Sequence, residues 1–177
     1  PHQLNADSSW LMLSRPAGEG IDTSPHAVFE QLTRRHADQL TRSAFAFRQS
    51  VAVHTADSLP FMMQVITADE DWFTILGWDI AEGRGLTARD QLTRQAVCVL
   101  SAGAKARWFP NTQAVGQALQ IGGQWYRVEG VLGKHGMEVD GHFVADKDMV
   151  FLPRGPQARA SWAQDIALLF AVNDHNL

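Results

Sequence analysis

An α+β fold is predicted by three features of the sequence. A β-α-β-β pattern opens the chain, short strands and single-turn helix starts alternate through its middle, and a Gly-Gly dipeptide at 122–123 joins two further strands. At 177 residues the chain fits one domain or two small lobes. A chain of that size buries roughly 70% of its unfolded surface.

The first element is the apolar run Trp10–Ser14, which reads as a strand, followed by the turn-prone stretch Arg15–Thr23. Ser24-Pro25 then starts a helix, with Ser24 as the N-cap and Pro25 at the first helical position, where its missing N–H costs nothing. Val28, Phe29, Leu32, His36, Ala37 and Leu40 recur at three- and four-residue steps and give this helix one buried stripe, with Arg34, Arg35, Asp38 and Gln39 on its other face. Phe45, Phe47, Gln49, Val51 and Val53 share one parity, so Ala44–His54 is predicted as a long half-buried strand. Phe61–Thr67 follows as another strand after the Leu59-Pro60 break.

Asp69–Leu76 is predicted as a short helix with Asp69, Glu70 and Asp71 near its positive end and Gly77 as a left-handed C-cap. Ala96–Leu100 reads as a buried strand, and Ser101 caps a helix that carries Ala104, Trp108 and Phe109 until Pro110-Asn111 stops it. Gln117–Ile121 and Gln124–Leu132 flank Gly122-Gly123, where both positions can take positive φ and close a two-residue hairpin. Gly133–Asp148 is polar and reads as a loop, and Met149–Pro153 and Ile166–Val172 supply two more strands.

Charge and cysteine content exclude several classes. A net charge of −4, with basic residues scattered rather than striped, argues against a nucleic-acid binder. The single Cys98 excludes an internal disulfide and a Cys-rich zinc site, and it fits either an intracellular protein or a periplasmic one that avoids mispairing. No run approaches the roughly 18 apolar residues of a membrane span. No charged-then-apolar signal segment opens the chain, which reads as a piece excised from a longer protein.

Candidate chemistry is sparse. Gly83-Arg84 lacks the spacing of a phosphate-binding loop, so Gly83 is read as a turn and Arg84 as the partner of a carboxylate such as Asp90. Ser101 sits where a nucleophile elbow would place a serine, but it lacks the flanking glycines and is read as a cap. His135, Glu138, Asp140 and His142 are zinc-type ligands without helical i, i+4 spacing, so solvated loop residues are the plainer reading. Cys98, between two valines, is read as a buried apolar residue. Trp72, Phe73 and Trp78 form an aromatic cluster read as core, with an exposed patch for a partner as the alternative.

Four ordered elements carry a family resemblance. Trp72-Phe73, Leu76-Gly77, Gly83-Arg84 and Asp90 form the first, and Val97, Val99, Leu100, Ser101, Phe109, Pro110, Val115 and Gly116 the second. Tyr126, Val128, Gly130 and Val131 form the third, and Phe151-Leu152-Pro153 the last. In this order they resemble the extracytoplasmic domain of MacB/FtsX-type ABC transporter permeases, which lies between the first two transmembrane helices.

The resemblance implies two lobes. A porter-like β-α-β lobe is built by both chain ends, 1–58 and 148–177, and a mixed α/β lobe, called Sabre in this family, is inserted at 59–147. In the family the porter-like lobe continues past the strand matching Ile166–Val172 with a helix and a strand that this sequence does not reach. The resemblance further implies a non-catalytic periplasmic domain of a bacterial inner-membrane protein, without a cofactor or metal of its own. ATP would be hydrolysed at a separate cytoplasmic domain or subunit, and the domain would pass the resulting motion to substrate or partner proteins in export, efflux or lipoprotein release. Implied partners are a second permease copy or paralogue, the ATP-binding subunit, and a periplasmic adaptor or lipoprotein, with no nucleic acid. Two rivals are an extracytoplasmic ligand-binding or sensor domain, and a small hydrolase using Ser101 or the His135–His142 loop.

Overall fold

One long strand, Leu40–His54, organises the molecule. The structure is a computed structural model that describes residues 3–4, 10–14, 24–133, 138–139, 143–144, 148–155 and 165–172, with side chains for 24–133, 148–155 and 168–172. In chain order the strands are β1 (Gln3–Leu4), β2 (Trp10–Ser14), β3 (Leu40–His54), β4 (Phe61–Ala68), β5 (Ile80–Gly83), β6 (Val97–Leu100), β7 (Ala118–Ile121), β8 (Gln124–Leu132), β9 (Glu138–Val139), β10 (Phe143–Val144), β11 (Met149–Pro153) and β12 (Asp165–Val172). The helices are α1 (Pro25–Arg35), α2 (Trp72–Leu76), α3 (Ala88–Thr93) and α4 (Ala102–Trp108). The α+β class is therefore as predicted.

Ten strands share one mixed sheet in the order β1-β2-β12-β3-β4-β11-β6-β8-β5, with β7 bonded to both β8 and β3. The β4–β11 and β6–β8 pairs are parallel and the other pairs antiparallel. β3 meets β4 along one edge and two different strands along the other. Leu40–Arg48 pairs with β12, and Val53 and His54 pair with Ile121 and Gln120 of β7. The β7 contact closes a ring, β3-β4-β11-β6-β8-β7, in which each strand bonds to both neighbours. A small barrel thus grows from one half of β3 and an open sheet from the other.

The pairing of β3 with β12 places Ala44–His54 and Ile166–Val172 in one sheet, although more than a hundred residues separate them in sequence. β11, which follows the boundary expected at 147/148, runs between β4 and β6 inside the ring.

Three hydrophobic clusters follow from strand alternation. Val53, Met63, Val65, Cys98, Leu100, Leu119, Ile121, Val128 and Val150 point into the barrel, where Ala104 of α4 and Phe109, the residue that caps its end, join them. Phe45, Phe47, Leu168 and Phe170 pack under Phe29 of α1 on one face of the open sheet. Ala44, Ala46, Ile66, Phe151 and Leu169 face the opposite way and are covered by α2. β3 is therefore buried on both faces from Ala44 to Phe47, rather than on the single face its parity predicts. The reason is that α1 and α2 cover its two sides at the same level.

Local signals decided several boundaries. The Ser24 hydroxyl accepts the Ala27 N–H at 3.2 Å and starts α1 as expected. α1 stops at Arg35, short of the predicted stripe, because Leu40 enters the same cluster from β3 instead. α2 begins only at Trp72, and Asp69 has a different role from the helix-end charge expected of it. Gly77 is left-handed at φ 69°, and Gly122 and Gly123 adopt φ 57° and 87° in the β7–β8 turn, both as predicted. Inside the segment read as a loop, the antiparallel pair β9–β10 joins Val139 to Phe143. β5 and α3 are additional elements.

Candidate functional site at the junction of sheet and barrel

Asp69 follows the last residue of β4, where the open sheet meets the barrel. Its backbone N–H donates to the Phe45 carbonyl at 3.0 Å, and its Oδ2 accepts the Phe45 N–H at 2.8 Å. The side chain thus extends the β3–β4 ladder one step past the strand end. Arg154 reaches it from the end of β11, donating Nε to Oδ1 at 2.7 Å and a terminal nitrogen to Oδ2 at 3.1 Å. Gln91 of α3 donates to Oδ1 at 2.9 Å and to the Arg154 carbonyl at 3.0 Å, while accepting the Glu70 N–H at 3.1 Å.

The Arg154 guanidinium also lies 3.2 Å from His26 Nδ1 on α1 and 5.1 Å from the centre of the Phe45 ring. Side chains of Asp69 and Arg154 are only 12% and 13% exposed, so this bidentate pair is shielded from the screening that weakens surface pairs. Arg42 of β3 adds a second tie, to Asp71 just before α2, at 2.8 Å. One buried carboxylate therefore joins β3, β4, α3 and β11, and through Arg154 it reaches α1.

A second pair stands beside it. Arg84 donates to both oxygens of Asp90, at 2.7 and 3.1 Å. Asp90 also accepts the Thr87 N–H at 3.0 Å while Thr87 Oγ1 accepts the Asp90 N–H at 3.2 Å, a reciprocal capping box that starts α3. Burial alone would raise the Asp90 carboxyl. Hydrogen bonds from Arg84 and Thr87, and the Arg84 charge, outweigh it and hold the group below the usual carboxylate value. The hydrogen bond to Asp90, with attraction from Asp90 and Glu129, raises Arg84 against its own burial.

The candidate residues resolve as follows. Arg84 pairs with Asp90 as read from the sequence. Ser101 Oγ accepts the N–H of Ala104 at 3.1 Å and that of Met149 at 3.0 Å, so it caps α4 and also braces β11. Cys98 is fully buried, and burial pushes its thiol up to about 12, with the Glu129 charge adding to the rise. Trp72, Phe73 and Trp78 are core, not a partner-facing patch. They are 0%, 5% and 5% exposed, and Phe73 and Trp78 pack edge-on to Phe151 at 5.0 and 6.1 Å. The large apolar groups left exposed, among the described residues, include Leu59, Phe61, Met62 and Trp125 instead.

His135, Asp140 and His142 lie outside the described residues, and Glu138 is described in its backbone alone. No metal-type cluster occurs among the described residues. Asp69, Gln91 and Arg154 carried no local signal in the sequence, being 22 and 63 positions apart along the chain. The Thr87-x-x-Asp90 spacing was a readable signal for α3.

A family model described as the MacB-like periplasmic core domain matches residues 3–175. The chain belongs to that family. Its fold is similar to the periplasmic region of MacB from Actinobacillus actinomycetemcomitans, with a TM-score of 0.74 and 16% identity over 94% of this chain and 75% of that one. It is also similar to the extracellular domain of the ABC-type transporter YknZ from Gram-positive bacteria, with a TM-score of 0.67 and 15% identity over 92% and 82% of the two chains. No curated protein sequence matches it. This MacB-like core domain has, among its described residues, no helix long and apolar enough to cross a membrane.

Proposed function

We propose that this MacB-like core domain is a stiff relay in an ABC transporter permease of a bacterial inner membrane. It passes motion driven by ATP hydrolysis at a separate subunit to a substrate or periplasmic partner, in export, efflux or lipoprotein release. In this reading the chain ends, 1–58 and 148–177, form the porter-like lobe and 59–147 the inserted one. The partners are a second permease copy or paralogue, the ATP-binding subunit, and an adaptor or lipoprotein.

The observation that carries the reading is the unbroken run of β3 from the open sheet into the barrel wall, lashed at the crossing by Asp69, Arg154 and Gln91. A shared strand transmits displacement because its ladder bonds on both sides must move together. The relay needs no bond-making step, and Ser101 is spent on capping and bracing.

The test uses the full-length transporter. Asp69→Ala is expected to lower transport while ATP hydrolysis continues, and Asp69→Asn, which keeps an acceptor for the Phe45 N–H, is expected to lower it less. Undiminished transport by a correctly inserted D69A protein would refute the relay. Hydrolytic activity of the purified chain that vanishes in S101A would refute its non-catalytic character.

A further inference from the structure

One rim of the barrel opens into a cavity of about 370 Å³, within the size range of small-molecule sites. Its walls continue the inward-facing positions of the ring. Phe47 is opposite Thr67 and Thr67 is opposite Leu152, two residues beyond Val65 and Val150 of the barrel core. Ala96 and Tyr126 extend the inward rows of Cys98 and Val128 in the same way. The inner surface is thus part apolar and part hydroxyl-bearing, and Gln95 and Gln124 stand at its edge.

The lip holds an unusual cation. Arg94 lines the cavity and caps α3 with φ 52° and ψ 44°, the one non-glycine with positive φ among the described residues. That conformation is unfavourable for a residue with a Cβ. Among the described residues no hydrogen bond or ion pair engages the Arg94 side chain. Its neighbours differ: Arg84 is paired with Asp90, Arg127 with Glu129, and Arg154 with Asp69. Asp90 also lines the cavity, but Arg84 and Thr87 already engage both its oxygens. Among the described residues, the mouth therefore presents one guanidinium without a carboxylate partner beside an amphipathic wall.

We propose that the barrel mouth binds a small amphipathic carboxylate, its anionic head held by Arg94 and its apolar body laid against Phe47, Leu152 and Tyr126. Thr67 and Gln124 offer hydrogen-bonding groups to a polar substituent. The same chemistry is presented by a free organic acid and by the C-terminus of a peptide ending in an apolar residue. This site does not depend on the relay reading, since a binding mouth and a stiff β3 are separate properties.

The test titrates the isotope-labelled chain with 3-phenylpropionate and with glycyl-glycyl-phenylalanine, each beside its uncharged amide. Carboxylates are expected to shift the backbone amide signals of Thr67, Ala96 and Tyr126, and the amides to leave them in place. Arg94→Gln is expected to weaken binding about tenfold, the scale of one lost charge-assisted contact, and R94K to weaken it less. The amide controls keep the test valid even if R94Q folds poorly. Binding by phenylpropionate assigns a free acid, and binding by the tripeptide alone assigns a chain terminus; either supports the site. Equal shifts from acids and amides, shifts away from the rim, or no shift at saturating probe would overturn it.

Discussion

Gly83 and Gly130 face each other in the β5–β8 register; Gly83 closes on the Glu129 backbone of β8, and Gly130 on the backbone of Arg84, just past the end of β5. A Cβ on Gly130 would lie 1.9 Å from the Arg84 carbonyl oxygen, and one on Gly83 would lie 2.1 Å from the Glu129 oxygen. Both obstacles are backbone, so no rotamer change relieves them. Gly130→Ala is expected to cost about 3 kcal/mol or more, whereas Gly85→Ala, whose nearest contact would be an ordinary 3.5 Å, should cost about 1 kcal/mol or less. Urea denaturation of the two variants decides, and equal losses would refute the close-approach account.

Asp90 makes a second residue-level case, with a definite sign. Its carboxyl is held below the ordinary value in the folded chain, so its contribution is present above the unfolded value and disappears as pH falls through the folded one. Asp90→Asn is expected to cost about 1–3 kcal/mol at neutral pH, and the gap from wild type should close in acid. A gap independent of pH would show that the charge is not what Arg84 recognises.

At the scale of elements, two helix starts use the same residue type in different surroundings. Ser24 is exposed and caps α1, while Ser101 is fully buried and serves both Ala104 and Met149. Ser24→Ala should cost about 1 kcal/mol or less, and Ser101→Ala about 2–3 kcal/mol, because two buried N–H groups lose their acceptor. Thermal or urea unfolding of both variants measures the difference, and a Ser101→Ala loss no larger than that of Ser24→Ala would refute the bracing role.

Both caps were legible in the sequence, as were the Gly122-Gly123 turn and most strands, because each is fixed by neighbours in the chain. β5 was not legible, since Ile80–Gly83 is four residues long and its partner is β8, about fifty positions away. The end of α1 was misread because Leu40 satisfies a helical spacing by accident of shared burial. The Asp69–Gln91–Arg154 knot was invisible for a deeper reason: its geometry exists only after β11 has inserted beside β4. Aromatic content marked Trp72, Phe73 and Trp78, but composition cannot tell a core face from an exposed one.

At the scale of the whole molecule, the question is whether open sheet and barrel stand or fall together. β3 is 15 residues, about 50 Å of extended chain, and supplies a wall to both. Removing β12 from it would expose Phe45 and Phe47 on one side and Ala44 and Ala46 on the other, and would leave α1 and α2 without their shared support. Opening the barrel at the β3–β7 seam would expose Val53 and Ile121 and break the ring that holds β11. The cluster under α2 draws Ala44, Ala46 and Leu169 from the open sheet and Ile66, Val99 and Phe151 from barrel strands, so neither zone can be lost without uncovering a core the other shares. The expected outcome is one cooperative transition, with far-UV circular dichroism and tryptophan fluorescence coincident in urea. Hydrogen exchange gives the sharper reading: the slowest amides of Ala44–Arg48 and those of Val99 and Val128 should open with the same free energy. If the Ala44–Arg48 amides exchange through a cheaper opening, the two zones move independently. A strand that yields at the junction cannot act as a stiff relay, so that result would also remove the physical basis of the proposed coupling.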